Sequence, residues 1–247
     1  MTRTIEIPTP DGAAEAYVAG EEGCPGVLLF IDAIGLRPQI ATMAERIASW
    51  GYLVLAPNVF HRSGRAEELA PTEDLRLPGA RERFFATGLG DRMTALTSEL
   101  ADADTAIWLD HLGSVAAAGP VGVTGYCMGA RLATRAAGRH PDRVAAVGGF
   151  HGGGLVTEAP DSPHLQLATA RAEFVYGHAD NDASMPPEAV EALGRVLADA
   201  GLRASNEIYA GAVHGYTMAD TSMYDEASAE RHFAALHELF GRTLAPR

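Results

Sequence analysis

Apolar residues recur along this chain in two kinds of run, some of strand length and some spaced at a helical period, and the two kinds alternate. Thr4–Ile7 and Ala14–Val18 alternate polar and apolar positions on either side of Pro10-Asp11-Gly12, the pattern of a hairpin at an antiparallel sheet edge. Gly26–Ile31 and Tyr52–Ala56 are continuous apolar runs, expected of strands buried on both faces, and a helical stretch ending near Trp50 lies between them. From Asn58 to about Leu89 the periodicity weakens among Pro71, Pro78 and Gly79. That stretch reads as an irregular segment crossing the strand ends, either bordering a pocket or simply connecting two elements.

Helical spacing returns from Asp91 to His111 through Met93, Leu96, Leu100, Ile107 and Leu109. Further strands are expected at Val121–Thr124, Arg143–Phe150, Glu173–Gly177 and Ser205–Tyr209, with helices at Pro186–Ala200 and Asp225–Phe240. Such alternation predicts an α/β fold, a single mostly parallel sheet with helices on both faces, and residues 1–247 are expected to form one domain.

The sharpest local signal is Gly122-Val-Thr-Gly125-Tyr126-Cys127-Met128-Gly129-Ala-Arg131. A strand here runs through a tight turn into a helix. Gly125 and Gly129 remove the side chains that would collide where strand and helix approach, leaving Cys127 at the apex. A thiol placed there faces backbone N–H groups and a helix N-terminus, which stabilise negative charge on sulfur and then on a substrate oxygen. This suits acyl transfer.

A nucleophile at such an elbow needs a base and a carboxylate to orient it, in the chain order nucleophile, acid, histidine. His214, in a glycine-containing loop past the last predicted strand, is the expected base; His61, His111, His140, His232 and His237 are worse placed. Asp180 and Asp182 compete for the orienting role. Asp180 is favoured because it stands three residues past the glycine that closes the predicted strand. His151-Gly-Gly-Gly154 follows the elbow instead of preceding it and reads as a flexible strand exit. The N–H groups of Ala33, after the early strand, and of Met128 are then the expected oxyanion pair.

Composition narrows the chemistry. The formal charge of −13 disfavours nucleic acid as a partner. No apolar run is long enough to span a bilayer, and the N-terminal residues lack a signal-peptide pattern, so a cytoplasmic protein is expected. Every basic residue is arginine, which removes lysine Schiff-base and P-loop chemistry. No GxGxxG, HExxH or CxxC spacing occurs, and no cofactor or metal is expected. The two cysteines, Cys24 and Cys127, form no disulfide framework.

Gly125-Tyr-Cys-Met-Gly129, with Gly177-x-x-Asp180, Ala212-Val-His214-Gly215 and Asp32-Ala-Ile-Gly35, resembles the dienelactone hydrolase family of α/β-hydrolases along nearly the whole chain. The resemblance implies a cytoplasmic, cofactor-free hydrolase that opens a carboxymethylene-butenolide lactone or a related ester, working as a monomer or small homo-oligomer on a small-molecule substrate. It implies that Asp32 stands where a family glutamate holds the resting nucleophile. It also implies that Arg81 matches one substrate-carboxylate anchor, with Phe85 where a tyrosine would stand and Met218 in place of a second arginine. A thioesterase or acyltransferase would use the same triad, and a ligand-binding or redox-sensing relative is the reading from outside catalysis.

Overall fold

The computed structural model describes residues 1–244. The N-terminal hairpin forms as β1 (Arg3–Thr9) and β2 (Gly12–Ala19), antiparallel, with Ile5 opposite Ala16. The buried runs become β3 (Gly26–Phe30) and β4 (Leu53–Pro57), joined by α1 (Pro38–Ala48). They continue as β5 (Val121–Tyr126), β6 (Val144–Phe150), β7 (Glu173–Ala179) and β8 (Ala204–Tyr209). The sheet has eight strands in the order β1-β2-β4-β3-β5-β6-β7-β8. The hairpin edge is antiparallel, including β2 on β4, and every pairing from β4 to β8 is parallel.

Every residue of β3, β4 and β5 is buried, as a strand covered by helices on both faces requires. The covering helices present one apolar stripe each: Ile40, Met43, Ala44 and Ile47 on α1, and Val190, Leu193 and Leu197 on α7 (Pro187–Asp199). Large side chains such as Trp108, Tyr126, Phe150 and Tyr176 fill the core without solvent exposure, each burial stabilising by roughly 1.5–3 kcal/mol. α6 (Met128–Arg139) follows the elbow, and α8 (Glu226–Thr243) packs on β6 and β7.

Two local expectations change. The irregular crossing segment contains two short helices, α2 (Ala66–Leu69) and α3 (Ala80–Phe85), and a third, α4 (Leu89–Ala95), begins where it ends. They bury so few residues that no periodic apolar stripe marks them. The helical spacing from Asp91 to His111 also conceals a break, because the Thr97 hydroxyl accepts from the Leu100 N–H and starts a new helix, α5 (Ser98–Val115). A small apolar cluster of Ile34, Leu75 and Ala80, with Phe84 and Phe85 against it, holds the crossing segment over the strand ends.

Candidate active site

The turn after β5 puts Cys127 in a backbone conformation that L-residues rarely adopt, φ 54° and ψ −118°. The flanking glycines explain how it closes. A Cβ on Gly125 would lie 2.0 Å from the Gly129 carbonyl oxygen, and one on Gly129 would lie 2.4 Å from that of Phe30. Neither position tolerates a side chain. The Cys127 N–H donates to the Phe150 carbonyl at 3.0 Å, fixing the turn to β6 and leaving the sulfur at the mouth of the sheet.

His214 reaches that sulfur from the loop after β8, with Nε2 3.1 Å from Cys127 Sγ. On its other side His214 Nδ1 lies 2.6 Å from Asp182 Oδ2, so the carboxylate beside this histidine is Asp182, and the expectation of Asp180 is corrected. The cause is the length of β7. The strand runs two residues beyond Gly177, with His178 and Ala179 still opposite Ile208 and Tyr209. Asp180 therefore remains at the strand edge, where its carboxylate accepts from the Gly211 N–H at 2.8 Å, and Asp182 swings over the elbow. Ser184 donates to Asp182 Oδ1 through both its N–H and its hydroxyl.

Burial alone would make His214 neutral. The hydrogen bonds and charges of Asp182 and Cys127 outweigh it and push the His214 pKa up to about 10. Burial likewise favours protonated Asp182, but the bonds from His214 and Ser184 win and bring its pKa down to about 2. The arrangement is a half-buried chain of carboxylate, imidazolium and sulfur.

The chain opens into a cavity of about 280 Å³ lined by Ile34, Phe85, Leu89, Met93 and Met218, with Arg81, Asp32, Ala33 and His151 also on its wall. Arg81 and Phe85 do reach the site together: the guanidinium lies 4.3 Å from the ring centroid. The N–H groups of Ala33 and Met128 have no hydrogen-bond acceptor among the described residues. His151 is not a flexible exit. It is buried at the end of β6, its Nε2 is 2.7 Å from the Thr217 hydroxyl, and its ring lies 5.3 Å from that of His214. Burial, reinforced by the charge on His214, holds it well below the usual histidine range, so it is neutral. The signal for it was positional: a residue at the end of the strand next to the elbow strand in a parallel sheet.

Asp32 lines the cavity but makes no hydrogen bond to Cys127. Both its oxygens accept from Arg37, at 2.7 and 3.1 Å, and Oδ1 also accepts the Ile34 N–H. A bidentate guanidinium five residues along is a far stronger partner than a thiol, which corrects the role expected of Asp32. No group of three or more His, Cys, Asp or Glu side chains among the described residues is arranged to hold a metal ion.

The profile of the dienelactone hydrolase family matches residues 14–244. The chain belongs to that family. Its members are hydrolases of lactone and ester bonds, and this chain shares their α/β-hydrolase fold. A Salmonella typhi protein named provisionally as a carboxymethylenebutenolidase is 26% identical over 264 residues, covering 96% of this chain and 90% of its own. The carboxymethylenebutenolidase of Rhodococcus opacus is 28% identical over 207 residues, covering 83% of this chain and 75% of its own. Among solved structures, one from Klebsiella pneumoniae, provisionally named a dienelactone hydrolase, superposes with a TM-score of 0.80 at 21% identity. The superposition covers 98% of both chains. At that identity the likeness shows the dienelactone hydrolase fold alone.

No described helix is long and apolar enough to cross a membrane.

Proposed function

We propose that the protein hydrolyses small esters or lactones through Cys127, His214 and Asp182 with a covalent acyl-enzyme and no cofactor. The observation that carries this reading is the unbroken hydrogen-bonded chain from Asp182 through His214 to the sulfur, ending at the cavity. Asp182 accepts from Nδ1–H and fixes the ring, which turns its Nε2–H toward a thiolate.

The Cys127 thiolate attacks the carbonyl carbon, and the oxygen takes the charge at the N–H groups of Ala33 and Met128. As the C–O bond breaks, His214 gives its Nε2 proton to the departing oxygen, leaving a thioester and a neutral imidazole. Water then attacks the thioester while His214 takes one of its protons. The C–S bond breaks, releasing the acid and restoring the thiolate and imidazolium. In a lactone the departing oxygen stays tethered, and the product is one hydroxy acid or its keto tautomer.

The apolar wall favours a compact acyl group. Arg81 is the arginine on that wall and forms no ion pair with a carboxylate among the described residues, so an anionic substrate gains one ion pair there. Parent protein and Cys127→Ala, assayed against short p-nitrophenyl esters and lactones of matched size, test the proposal. Turnover that is present in the parent and lost in the variant is expected; equal turnover in both contradicts it.

A further inference from the structure

Behind the cavity, Arg37 is buried to 3% exposure and uses every donor it has. NH1 donates to Asp32 Oδ1 at 2.7 Å and to the Gly35 carbonyl at 3.1 Å, and NH2 donates to Asp32 Oδ2 at 3.1 Å. The remaining donors cross to a distant stretch of chain: Nε to Asp220 Oδ2 at 2.6 Å and NH2 to Asp220 Oδ1 at 3.1 Å. All five guanidinium N–H groups are thus engaged, four of them in two forks on two carboxylates and the fifth on the Gly35 carbonyl.

The carboxylates sit on the segments that matter. Asp32 begins the turn carrying Ala33, and its Oδ1 also accepts from Ile34, so the direction of that turn depends on where Asp32 is held. Asp220 lies in the succession of turns after His214, in which Met218 donates to Gly215 and Thr221 to Met218. No regular element joins the turn after β3 to the loop after β8, which sit on strands separated by β5, β6 and β7 in the sheet.

We propose that Arg37 is a positioning residue for the hydrolysis described above: by gripping Asp32 and Asp220 together it sets the oxyanion turn against the histidine loop. The inference rests on that hydrolytic reading. A donor and a base that must meet one tetrahedral centre tolerate little relative movement, and a displacement of about 1 Å costs about a hundredfold in rate.

The experiment compares parent, Arg37→Gln, Arg37→Lys and Asp220→Asn in ester hydrolysis, with active sites counted by alkylation of Cys127 and with Tm measured alongside. Expected are a fall in kcat of about a hundredfold for Arg37→Gln and about tenfold for Asp220→Asn, with KM changed less than about threefold. Arg37→Lys recovers only part of the loss, because an ammonium keeps the charge but cannot make two forks. Three results overturn the assignment. The first is a lowered Tm with parental kcat per active site, which makes Arg37 merely structural. The second is full recovery in Arg37→Lys, which makes charge the operative property. The third is parental kcat in Asp220→Asn, which removes the link to the histidine loop. Failure of the hydrolytic reading is separable from these, since it shows in the parent as ester turnover that survives complete alkylation of Cys127.

Discussion

The crossing segment separates two cavities, and they differ in the opposite sense to their size. The larger, about 620 Å³, is lined by Leu69, Thr72, Glu73, Phe84, Asp91 and Arg92; the smaller, about 280 Å³, receives Cys127, His151 and His214. Adjacent residues on two helices divide between them: on α3 Phe84 lines the larger space and Phe85 the smaller, and on α4 Arg92 lines the larger and Met93 the smaller. The larger is built from short helices and loops, and Glu73 in it is already paired with Arg83. The smaller lies where β3, β5 and β6 end and the loop after β8 returns. Ends of parallel strands bring residues far apart in sequence to one point, and volume alone does not.

Substitution on either side sharpens the contrast. Cys127→Ala is expected to lower kcat/KM by at least about ten-thousandfold with little change in Tm, because the proposed mechanism asks the thiol for chemistry and a turn between glycines accepts alanine. Asp91→Asn in the larger cavity is expected to leave kcat/KM within about twofold, as surface changes away from a site do. A large loss there breaks the comparison.

Behind the smaller cavity the two aspartates that follow β7 differ next. Asp182→Asn is expected to cost about a hundredfold or more in kcat, and Asp180→Asn only a few-fold, since Asp180 holds a backbone N–H and not His214, the proposed base. Parity between the two contradicts the geometry.

The same pair sets a pH dependence. The pKa of His214 is raised to about 10, so its contribution to stability is complete below the ordinary histidine value. It is lost as pH rises through the window from about 6.5 to about 10. Asp182 is depressed to about 2, so its contribution is present above the ordinary carboxylate value and lost as pH falls toward 2. Urea midpoints measured from pH 6 to 10 are expected to fall in the parent and to fall less in Asp182→Asn; identical slopes count against the ion pair.

The smallest effect belongs to Arg81. Arg81→Ala is expected to reduce kcat/KM for an anionic lactone by less than about tenfold and to leave a neutral one unchanged, because a half-exposed ion pair contributes about 0–1 kcal/mol. A loss above about a hundredfold points to a desolvated anchor instead.

The parts of the molecule legible in the sequence are those set by neighbours in the chain. The apolar runs gave the parallel strands, and Gly125, Cys127 and Gly129 gave the elbow, because both depend on local sterics and burial. His214 followed from its place after the last strand. Asp182 did not, since where β7 ends is decided by pairing with Ile208 and Tyr209 rather than by Gly177. The partner of Asp32 was equally hidden: Arg37 is close in sequence, but its second fork lands on Asp220, 183 residues away. The helices of the crossing segment escaped notice because α3 buries only Ala80 and α2 buries nothing.

The central claim is that the acyl group passes through Cys127. Acid-quenched mass spectrometry of intact protein taken during turnover of a slowly hydrolysed p-nitrophenyl ester tests it directly. The account predicts a mass gain equal to one acyl group replacing one hydrogen, mapped to the peptide containing Cys127 and absent from Cys127→Ala. Steady nitrophenolate release with an unmodified Cys127, or an adduct on another residue, contradicts it.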